Sequence, residues 1–173
     1  VKVSVSEECM RLVENKLVEI GAKLLDSVVE EDHYVDMSVC SCFPRDVALR
    51  VRIYVGREFG ELTYKGPRFE SEVKAREELT VEVRNPAQLA KIFKAMGFKL
   101  ITIRKHRKVY ELGGKVKVYL DTVEGLGNFI EFEIMNPPNK EYFMELLEQL
   151  LSMLGLEGRE LIVKSYLEMF MER

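Results

Sequence analysis

Charged and apolar residues alternate along much of this chain, and no other feature limits its possible folds as strongly. In the segment ALRVRIYV (48–55), Leu49 and Val51 have one parity, whereas Arg50 and Arg52 have the other. Side chains of a β-strand point alternately to its two faces, so this segment predicts a strand with one apolar and one ionisable face. Period-two segments also occur at 1–5, 32–39, 60–66, 77–84, 99–112, 115–121 and 128–134.

Apolar residues at helical spacing predict helices at 7–25, 86–98, 140–154 and 159–171. Ser6 can cap the first helix, Pro86 suits the first turn of the second, and Gly97 ends its pattern. Successive strands are close enough in sequence to pair antiparallel. The chain is therefore predicted to form one α+β domain over 1–173, with an antiparallel sheet of about eight strands and helices outside it.

The ionisable strand faces allow two interpretations. In a one-sided sheet they face water while the apolar faces pack on helices, and spacing alone favours this arrangement. In a closed β-barrel they line a lumen. Residue chemistry favours the barrel, because solvated faces usually carry Thr, Ser and Gln, whereas these carry mainly Arg, Lys, Glu and Asp. A lumen crowded with both signs of charge is expected to hold a polyanion bridged by divalent cations.

Composition narrows the function classes. Three cysteines in 173 residues indicate a reducing compartment, and Cys40 and Cys42 are expected to be ordinary thiols because no second Cys or His pair stands nearby to complete a metal site. No apolar run reaches the roughly 20 residues that span a bilayer, so a cytoplasmic protein without a membrane partner is expected. The net charge of −3 and the acidic neighbours of the basic residues disfavour a nucleic-acid partner.

Several segments, taken in order, resemble the CYTH family, which includes the class IV adenylyl cyclases and the thiamine triphosphatases and is also called the triphosphate tunnel metalloenzymes. These segments are ALRVRIY, LTYKGP, REELTVEV, RKHRKVY, LDTVEGLGNFIEFEI and SYLEMF. The resemblance covers essentially the whole chain. It implies an eight-stranded antiparallel β-barrel, with helices outside, whose tunnel binds a triphosphate together with Mg²⁺ or Mn²⁺.

The resemblance also implies which basic residues bind the phosphates. The expected triphosphate-binding residues are Lys2, Arg50, Arg52, Lys65, Arg76, Lys105 and Arg107. Guanidinium groups bind phosphate oxygens through two parallel hydrogen bonds, whereas a lysine acts as a movable point charge. A mixture of both types suits a chain of phosphoryl groups.

Three glutamates match acidic positions of the family, so Glu78, Glu131 and Glu133 are the expected metal ligands. Carboxylates are the hard oxygen ligands that Mg²⁺ requires. The family signature ExExK on the first strand is only partly present, because Lys2 matches its lysine and both glutamates would fall before Val1. Either these two glutamates lie upstream of Val1, as the resemblance implies, or the chain lacks half of the metal site of the family.

The GLGNFIEFE and SYLE segments resemble the adenylyl cyclase-like branch, which implies conversion of ATP to cyclic AMP and pyrophosphate. The expected catalytic residues are Asp121, Lys65 and Arg107, with Asp121 steering or accepting the proton of the attacking ribose hydroxyl. A triphosphatase acting on tripolyphosphate, thiamine triphosphate or a nucleoside triphosphate is the first alternative, and a noncatalytic polyphosphate- or nucleotide-binding module is the second. The apolar face of the helix at 140–154 is expected to form either core or the surface of a homodimer.

Overall fold

A computed structural model describes residues 1–39, 46–68 and 76–173, so the expectation for Cys40 and Cys42 lies outside the described residues. The described strands are β1 (Lys2–Val5), β2 (Lys23–Val35), β3 (Ala48–Tyr54), β4 (Phe59–Arg68), β5 (Arg76–Arg84), β6 (Leu100–Leu112), β7 (Val116–Val123) and β8 (Gly127–Ile134). The α-helices are α1 (Glu7–Glu19), α2 (Pro86–Ala95), α3 (Lys140–Leu154) and α4 (Tyr166–Met171), and a short 3₁₀ helix spans Met37–Val39. None of the described helices is long and apolar enough to cross a membrane.

All eight strands belong to one sheet, in the hydrogen-bonded order β1-β8-β7-β6-β2-β3-β4-β5. The prediction of eight antiparallel strands accompanied by helices is confirmed. Among the described residues β1 and β5 are the two end strands, so the ladder is open rather than closed into the ring of a complete barrel.

The first helix is shorter than predicted, and the second strand is longer. Helix α1 ends at Glu19 because Gly21 adopts a φ of 82°, in the left-handed region that glycine tolerates best. Leu24 and Leu25 fit helical spacing but lie in β2, where each is about half exposed. The prediction of a helix over 7–25 was therefore wrong at its C-terminal end.

The last helix is also shorter than the predicted 159–171. Ile162 instead pairs with Lys2, since the amide of each donates to the carbonyl of the other at 2.8 and 3.0 Å. Helix α4 begins only after Ser165, which caps it in a reciprocal capping box with Glu168. Backbone pairing with β1 thus replaces the first two turns of the predicted helix. Helices α2 and α3 begin where the sequence predicts.

Contacts divide the chain into two compact units. Unit 1 consists of Val1–Val28 and Lys105–Arg173. Its core contains Ile130, Phe132 and Ile134 of β8, as parity predicts, and it also contains most of the apolar face of α3. The α3 side chains in this core are Leu147, Leu150, Leu151 and Leu154. That face therefore forms core, the first of its two expected roles.

Unit 2 consists of Val29–Arg104. Helix α2 packs on β3 and β4, with Pro86 and Ala90 buried. Gly60 permits this approach, because a Cβ at that position would lie 2.7 Å from the Pro86 ring. The apolar residues of β5 were expected to meet a helix, but Leu79 and Val81 are 58% and 57% exposed. The single domain expected over 1–173 stays a prediction.

Candidate functional site

Neighbouring strands of unit 1 carry charged side chains that are buried, which costs free energy unless the charges are paired. The unit 1 cluster consists of Lys2 on β1, Lys105 and Arg107 on β6, Asp121 on β7, Glu131 on β8 and Tyr166 on α4. The strand register brings opposite charges together, because Arg107 lies opposite Asp121 and Lys2 lies opposite Glu131. Lys105 and Arg107, two residues apart, are only 2% and 8% exposed.

Asp121 is the most enclosed charged group of this cluster, with no exposed surface. Arg107 donates to it through Nε at 2.7 Å and through Nη2 at 2.5 Å, and the Tyr166 hydroxyl donates at 2.7 Å. A carboxylate that is enclosed by three donors is well placed to orient Arg107 and badly placed to take a proton from a substrate. This geometry supports a positioning role for Asp121, and its expected role of proton acceptor stays a prediction.

Tyr166 remains a hydrogen-bond donor in this environment. Burial and the adjacent Asp121 carboxylate raise the pKa of the Tyr166 phenol above its ordinary value. The ring also packs against Phe129 in a tilted arrangement, with 5.3 Å between the ring centroids. The protonated hydroxyl is therefore fixed toward Asp121 by both its ring packing and its chemistry.

Glu131 joins two cationic members of the cluster. Its carboxylate lies 2.7 Å from Arg107 Nη2 and 3.2 Å from Lys2 Nζ. Burial alone would raise the pKa of Glu131, but Arg107 and Lys2 outweigh burial and lower that pKa to about 2. Glu131 is thus ionised at neutral pH and partly neutralises both cations.

Glu133 lies two residues further along β8, on the same strand face, and is more exposed. It accepts a hydrogen bond from the Tyr119 hydroxyl, and the Tyr119 ring lies 4.2 Å from the Arg107 guanidinium. Burial and Glu133 together raise the pKa of Tyr119, so its phenol also stays protonated. Tyr119 therefore links the exposed carboxylate to the buried arginine.

Unit 2 has a second charged cluster. The unit 2 cluster consists of Glu30 and Asp32 on β2, Arg50 and Arg52 on β3, Glu61, Thr63 and Lys65 on β4, and Glu78 and Thr80 on β5. Arg52 donates to both oxygens of Asp32, at 2.6 and 2.8 Å, and its Nη2 lies 3.2 Å from Glu30. All three residues are at least nine-tenths buried. The Arg52 fork is thus oriented by carboxylates, as the Arg107 fork is in unit 1.

Arg50 is paired less completely than Arg52. Its Nη2 donates to the Thr63 hydroxyl at 3.2 Å, and its Nε lies 3.8 Å from Asp32, beyond hydrogen-bonding distance. This buried Nε has no hydrogen-bond partner among the residues that the structure describes. A buried donor without an acceptor costs free energy, so an anion that supplied an oxygen here would bind favourably.

Lys65 and Glu78 lie opposite each other on β4 and β5 and form an ion pair at 2.8 Å. Burial lowers the pKa of Lys65 and the nearby Arg50 and Arg76 lower it further, while Glu78 opposes them. Arg76 begins β5 and is half-buried. These expected phosphate-binding residues therefore lie close to one another in unit 2, together with the expected metal ligand Glu78.

The arrangement of the carboxylates determines how a metal ion could bind. Within residues 1–39, 46–68 and 76–173, no three His, Cys, Asp or Glu side chains converge closely enough to hold a metal ion. Glu131 and Glu133 share a strand face and offer hard oxygen ligands. Mg²⁺ bound to a phosphate needs only one or two carboxylates, so this pair fits a metal that arrives with a triphosphate.

Comparison with known proteins decides the family. The family model for the CYTH domain matches residues 1–166. The chain is a member of the CYTH family. A CYTH relative from Methanocaldococcus jannaschii, named "Putative adenylate cyclase MJ0240", is 33% identical over 172 residues, which cover 98% of this chain and 97% of the relative.

Solved structures show the same CYTH-like fold. The PH1012 protein of Pyrococcus horikoshii superposes with a TM-score of 0.79 at 29% identity, covering 97% of this chain and 96% of that one. The Hippeastrum protein HpAC1 superposes with a TM-score of 0.73 at 21% identity, covering 99% of this chain and 93% of that one. HpAC1 is described as a putative adenylyl cyclase with a dominant triphosphatase activity.

Sequence reasoning on this CYTH chain missed two buried carboxylates and one tyrosine. Glu30 precedes the strand predicted over 32–39, and Asp32 is the first residue of that prediction. Both residues lie on the same face of β2 as Tyr34. In the structure Val28, Glu30, Asp32 and Tyr34 are more buried than the residues between them, but the residue types at 28–33 (VVEEDH) do not alternate, so the sequence held no period-two signal for these two carboxylates. Tyr166 stood in the quoted SYLEMF segment, but nothing in that segment indicates that its hydroxyl reaches Asp121.

Proposed function

We propose that the chain is a divalent-cation-dependent enzyme that acts on a triphosphate. The observation that carries this proposal is the burial of three cationic side chains, Lys2, Lys105 and Arg107, in one cluster of unit 1, beside Asp121 and Glu131. Arg and Lys side chains that converge in this way are the residues that proteins use to bind phosphate groups. A chain of phosphoryl groups offers anionic oxygens to each of them.

The cationic side chains would act mainly by electrostatic stabilisation. Arg107 and Arg52 are each fixed by a bidentate carboxylate, so their remaining N–H groups need little reorganisation when a phosphate arrives. The unsatisfied Nε of Arg50 would gain an acceptor. Phosphoryl transfer depends chiefly on such positioning and charge stabilisation, with little covalent participation by the protein.

Glu131 and Glu133 would hold Mg²⁺ or Mn²⁺ against the phosphates, and Glu78 is proposed as a further acidic ligand. When bound, the metal would supply a Lewis acid that neutralises charge on the phosphoryl oxygens. Among the residues that the structure describes, Glu133 has no cationic partner, and Tyr119 is its one hydrogen-bond donor. Glu133 is therefore the carboxylate whose metal binding would disturb the fewest existing contacts.

The leading reaction is cyclisation of ATP. The ribose 3′ oxygen would attack the α-phosphorus, the bond from that phosphorus to the bridging oxygen would break, and the 3′ hydroxyl proton would be released. The products are cyclic AMP and pyrophosphate. The name of the Methanocaldococcus jannaschii relative, at 33% identity over almost the whole chain, supports this choice.

Hydrolysis of a triphosphate is the second candidate. Water would attack the terminal phosphorus, the bond from that phosphorus to its bridging oxygen would break, and the diphosphate part would leave. The transferred phosphoryl group, stabilised by the same cationic residues, would be released as orthophosphate together with a proton. The triphosphatase activity described for HpAC1, which shares the fold, supports this alternative. Inorganic tripolyphosphate, thiamine triphosphate and nucleoside triphosphates present the same anionic chain, so the charged clusters do not choose among them.

Product identification tests the proposal. The protein is incubated with ATP, tripolyphosphate or thiamine triphosphate in Mg²⁺ and in Mn²⁺, and products are separated by anion-exchange chromatography. Cyclic AMP with pyrophosphate from ATP supports cyclisation, whereas orthophosphate without cyclic AMP supports hydrolysis. Metal-dependent binding of all three compounds without any product would refute the enzyme proposal and leave a binding module.

A further inference from the structure

We infer that Tyr166 is a positioning residue for the cationic side chains of unit 1, and that helix α4 serves to place it. This inference rests on the proposed function, because the side chains it positions are those proposed to bind a triphosphate. Tyr166 itself is buried, and its hydroxyl donates to Asp121.

Tyr166 contacts each basic member of the unit 1 cluster directly or through one residue. Its ring lies 4.9 Å from Lys2 Nζ and 5.9 Å from Lys105 Nζ, both within the range of cation–π attraction. Its hydroxyl donates to Asp121, which in turn receives both hydrogen bonds of the Arg107 fork. One side chain therefore stands beside two lysines and behind the carboxylate that fixes the arginine.

Helix α4 is too short to be stable alone, so its N-terminal cap and its contacts with the rest of unit 1 must hold Tyr166 in place. Ser165 caps the helix, and the Ser165 amide donates a hydrogen bond to the Glu168 carboxylate at 2.7 Å. Lys2 Nζ donates to the Lys164 carbonyl at 2.9 Å, just before the cap. The entry to α4 is thus tied to a member of the same cluster that Tyr166 contacts.

Arg107 shows why the hydroxyl matters. Its Nη2 is shared between Asp121 and Glu131, at 2.5 and 2.7 Å. Removing the Tyr166 hydroxyl leaves Asp121 Oδ2 with one donor fewer, and the enclosed carboxylate cannot recruit bulk water in its place. We expect the carboxylate to become less rigidly held and the Arg107 fork to rotate more freely.

The test compares two phenol deletions that remove equivalent bonds. Tyr166→Phe removes a 2.7 Å bond to Asp121, and the control Tyr110→Phe removes a 2.7 Å bond to Glu14 from another buried tyrosine of unit 1. Hydrogen exchange of the Arg107 Nε–H is followed by NMR, and binding of tripolyphosphate with Mg²⁺ is measured by calorimetry. Both measurements are made on the whole chain.

In Tyr166→Phe we expect Arg107 Nε–H exchange to be about tenfold faster and tripolyphosphate to bind about tenfold more weakly, the effect of losing one hydrogen bond to a charged group. In Tyr110→Phe both quantities should match wild type. Arg107 exchange that is equal in the two variants would overturn the inference, whatever the protein binds. Absence of tripolyphosphate binding by wild type would instead contradict the proposed function.

A second variant covers the case in which Tyr166→Phe does not fold. Ser165→Ala keeps the phenol and removes the side-chain cap of α4, which weakens the N-terminus of the helix. Because this loosens the helix that carries Tyr166, Arg107 exchange should rise about two- to fivefold. Unchanged exchange in Ser165→Ala, accompanied by the expected loss of stability, would also overturn the inference.

Discussion

Replacing the buried Asp121 by Asn should destabilise the protein far more than replacing an exposed carboxylate by its amide, even where the exposed carboxylate forms an equally short ion pair. Asp121 has no exposed surface and accepts two hydrogen bonds from Arg107 and one from Tyr166. Asn has the same shape, but it carries no charge and turns one acceptor oxygen into an NH₂ donor. That NH₂ group would face donors, so at least one hydrogen bond of the network would be lost.

The expected cost follows from burial. Removing one partner of a buried ion pair typically costs 3–5 kcal/mol, because the other charge stays buried without compensation. Arg107 retains Glu131 at 2.7 Å, and that carboxylate is 26% exposed, so the loss should lie near the lower limit. We expect about 3 kcal/mol, or a decrease in Tm of roughly 6–12 °C for a chain of this size.

The assay is urea unfolding followed by circular dichroism at pH 7, with the free energy obtained by linear extrapolation. Glu58→Gln is the matched control, because Glu58 and Arg84 form a 2.6 Å ion pair in which the side chains are 57% and 73% exposed. An exposed pair of this kind contributes at most about 1 kcal/mol. The control should therefore lower the free energy of unfolding by less than about 0.5 kcal/mol.

The reasoning would be refuted if Asp121→Asn lost less than about 1 kcal/mol, or no more than Glu58→Gln. Either result would mean that Arg107 finds water or another acceptor, and that the enclosed network is not what fixes it. The slope of the free energy of unfolding against urea concentration must be the same in wild type and variants, because a change of slope would indicate an altered unfolded or native state.

Two further expectations concern carboxylates of unit 1. Glu133→Gln should weaken the apparent metal affinity about 10- to 100-fold, measured by metal titration of turnover, with little change in Tm. Glu131→Gln should lower both the metal affinity and the Tm, because Lys2 loses its ion pair. Wild-type rates in both variants would reject the metal assignment. Burial raises the pKa of Glu14, but Lys108 and Tyr110 outweigh it and lower that pKa, so its stabilisation is present above the pKa of the unfolded chain and is lost as pH falls toward the folded value. The free energy of unfolding of Glu14→Gln should therefore decrease less than that of wild type as the pH is lowered. An equal decrease in the two proteins would argue against this.

Alternation of side chains was the most informative part of the sequence. It placed Ile130 and Phe132 in the core and Glu131 on the opposite face, and it predicted that Lys105 and Arg107 share a face; both are buried. Parity succeeds here because strand geometry leaves only two directions for a side chain. The prediction therefore depended on recognising each strand.

The two errors at helix ends have different causes. Leu24 and Leu25 fit helical spacing, but the local left-handed turn at Gly21 ends the helix before them. Ile162 lies in a segment with helical pattern, yet its backbone pairs with Lys2, more than 150 residues away in sequence. That long-range partner cannot be read from local periodicity, which reports only neighbours along the chain.

The charged clusters show the same limit for function. Residue type and the family resemblance indicated Arg107 and Asp121, but they assigned Asp121 a role in proton transfer. Burial and hydrogen bonding, which only the folded chain displays, support an orienting role for Asp121, while its role in proton transfer stays a prediction. The partnership of Tyr166 with Asp121 joins residues 45 positions apart, and it was likewise outside the reach of sequence pattern.

Metal-dependent turnover of a triphosphate is the central claim, and a chelation experiment tests it most directly. ATP and tripolyphosphate are incubated with the protein in Mg²⁺ or Mn²⁺, product is quantified over time, and excess chelator is added halfway through each reaction. The proposal predicts that product forms, that its formation stops on chelation, and that it resumes when the metal is restored. Product formation that continues unchanged after chelation, or no product from any triphosphate with either metal, would contradict it.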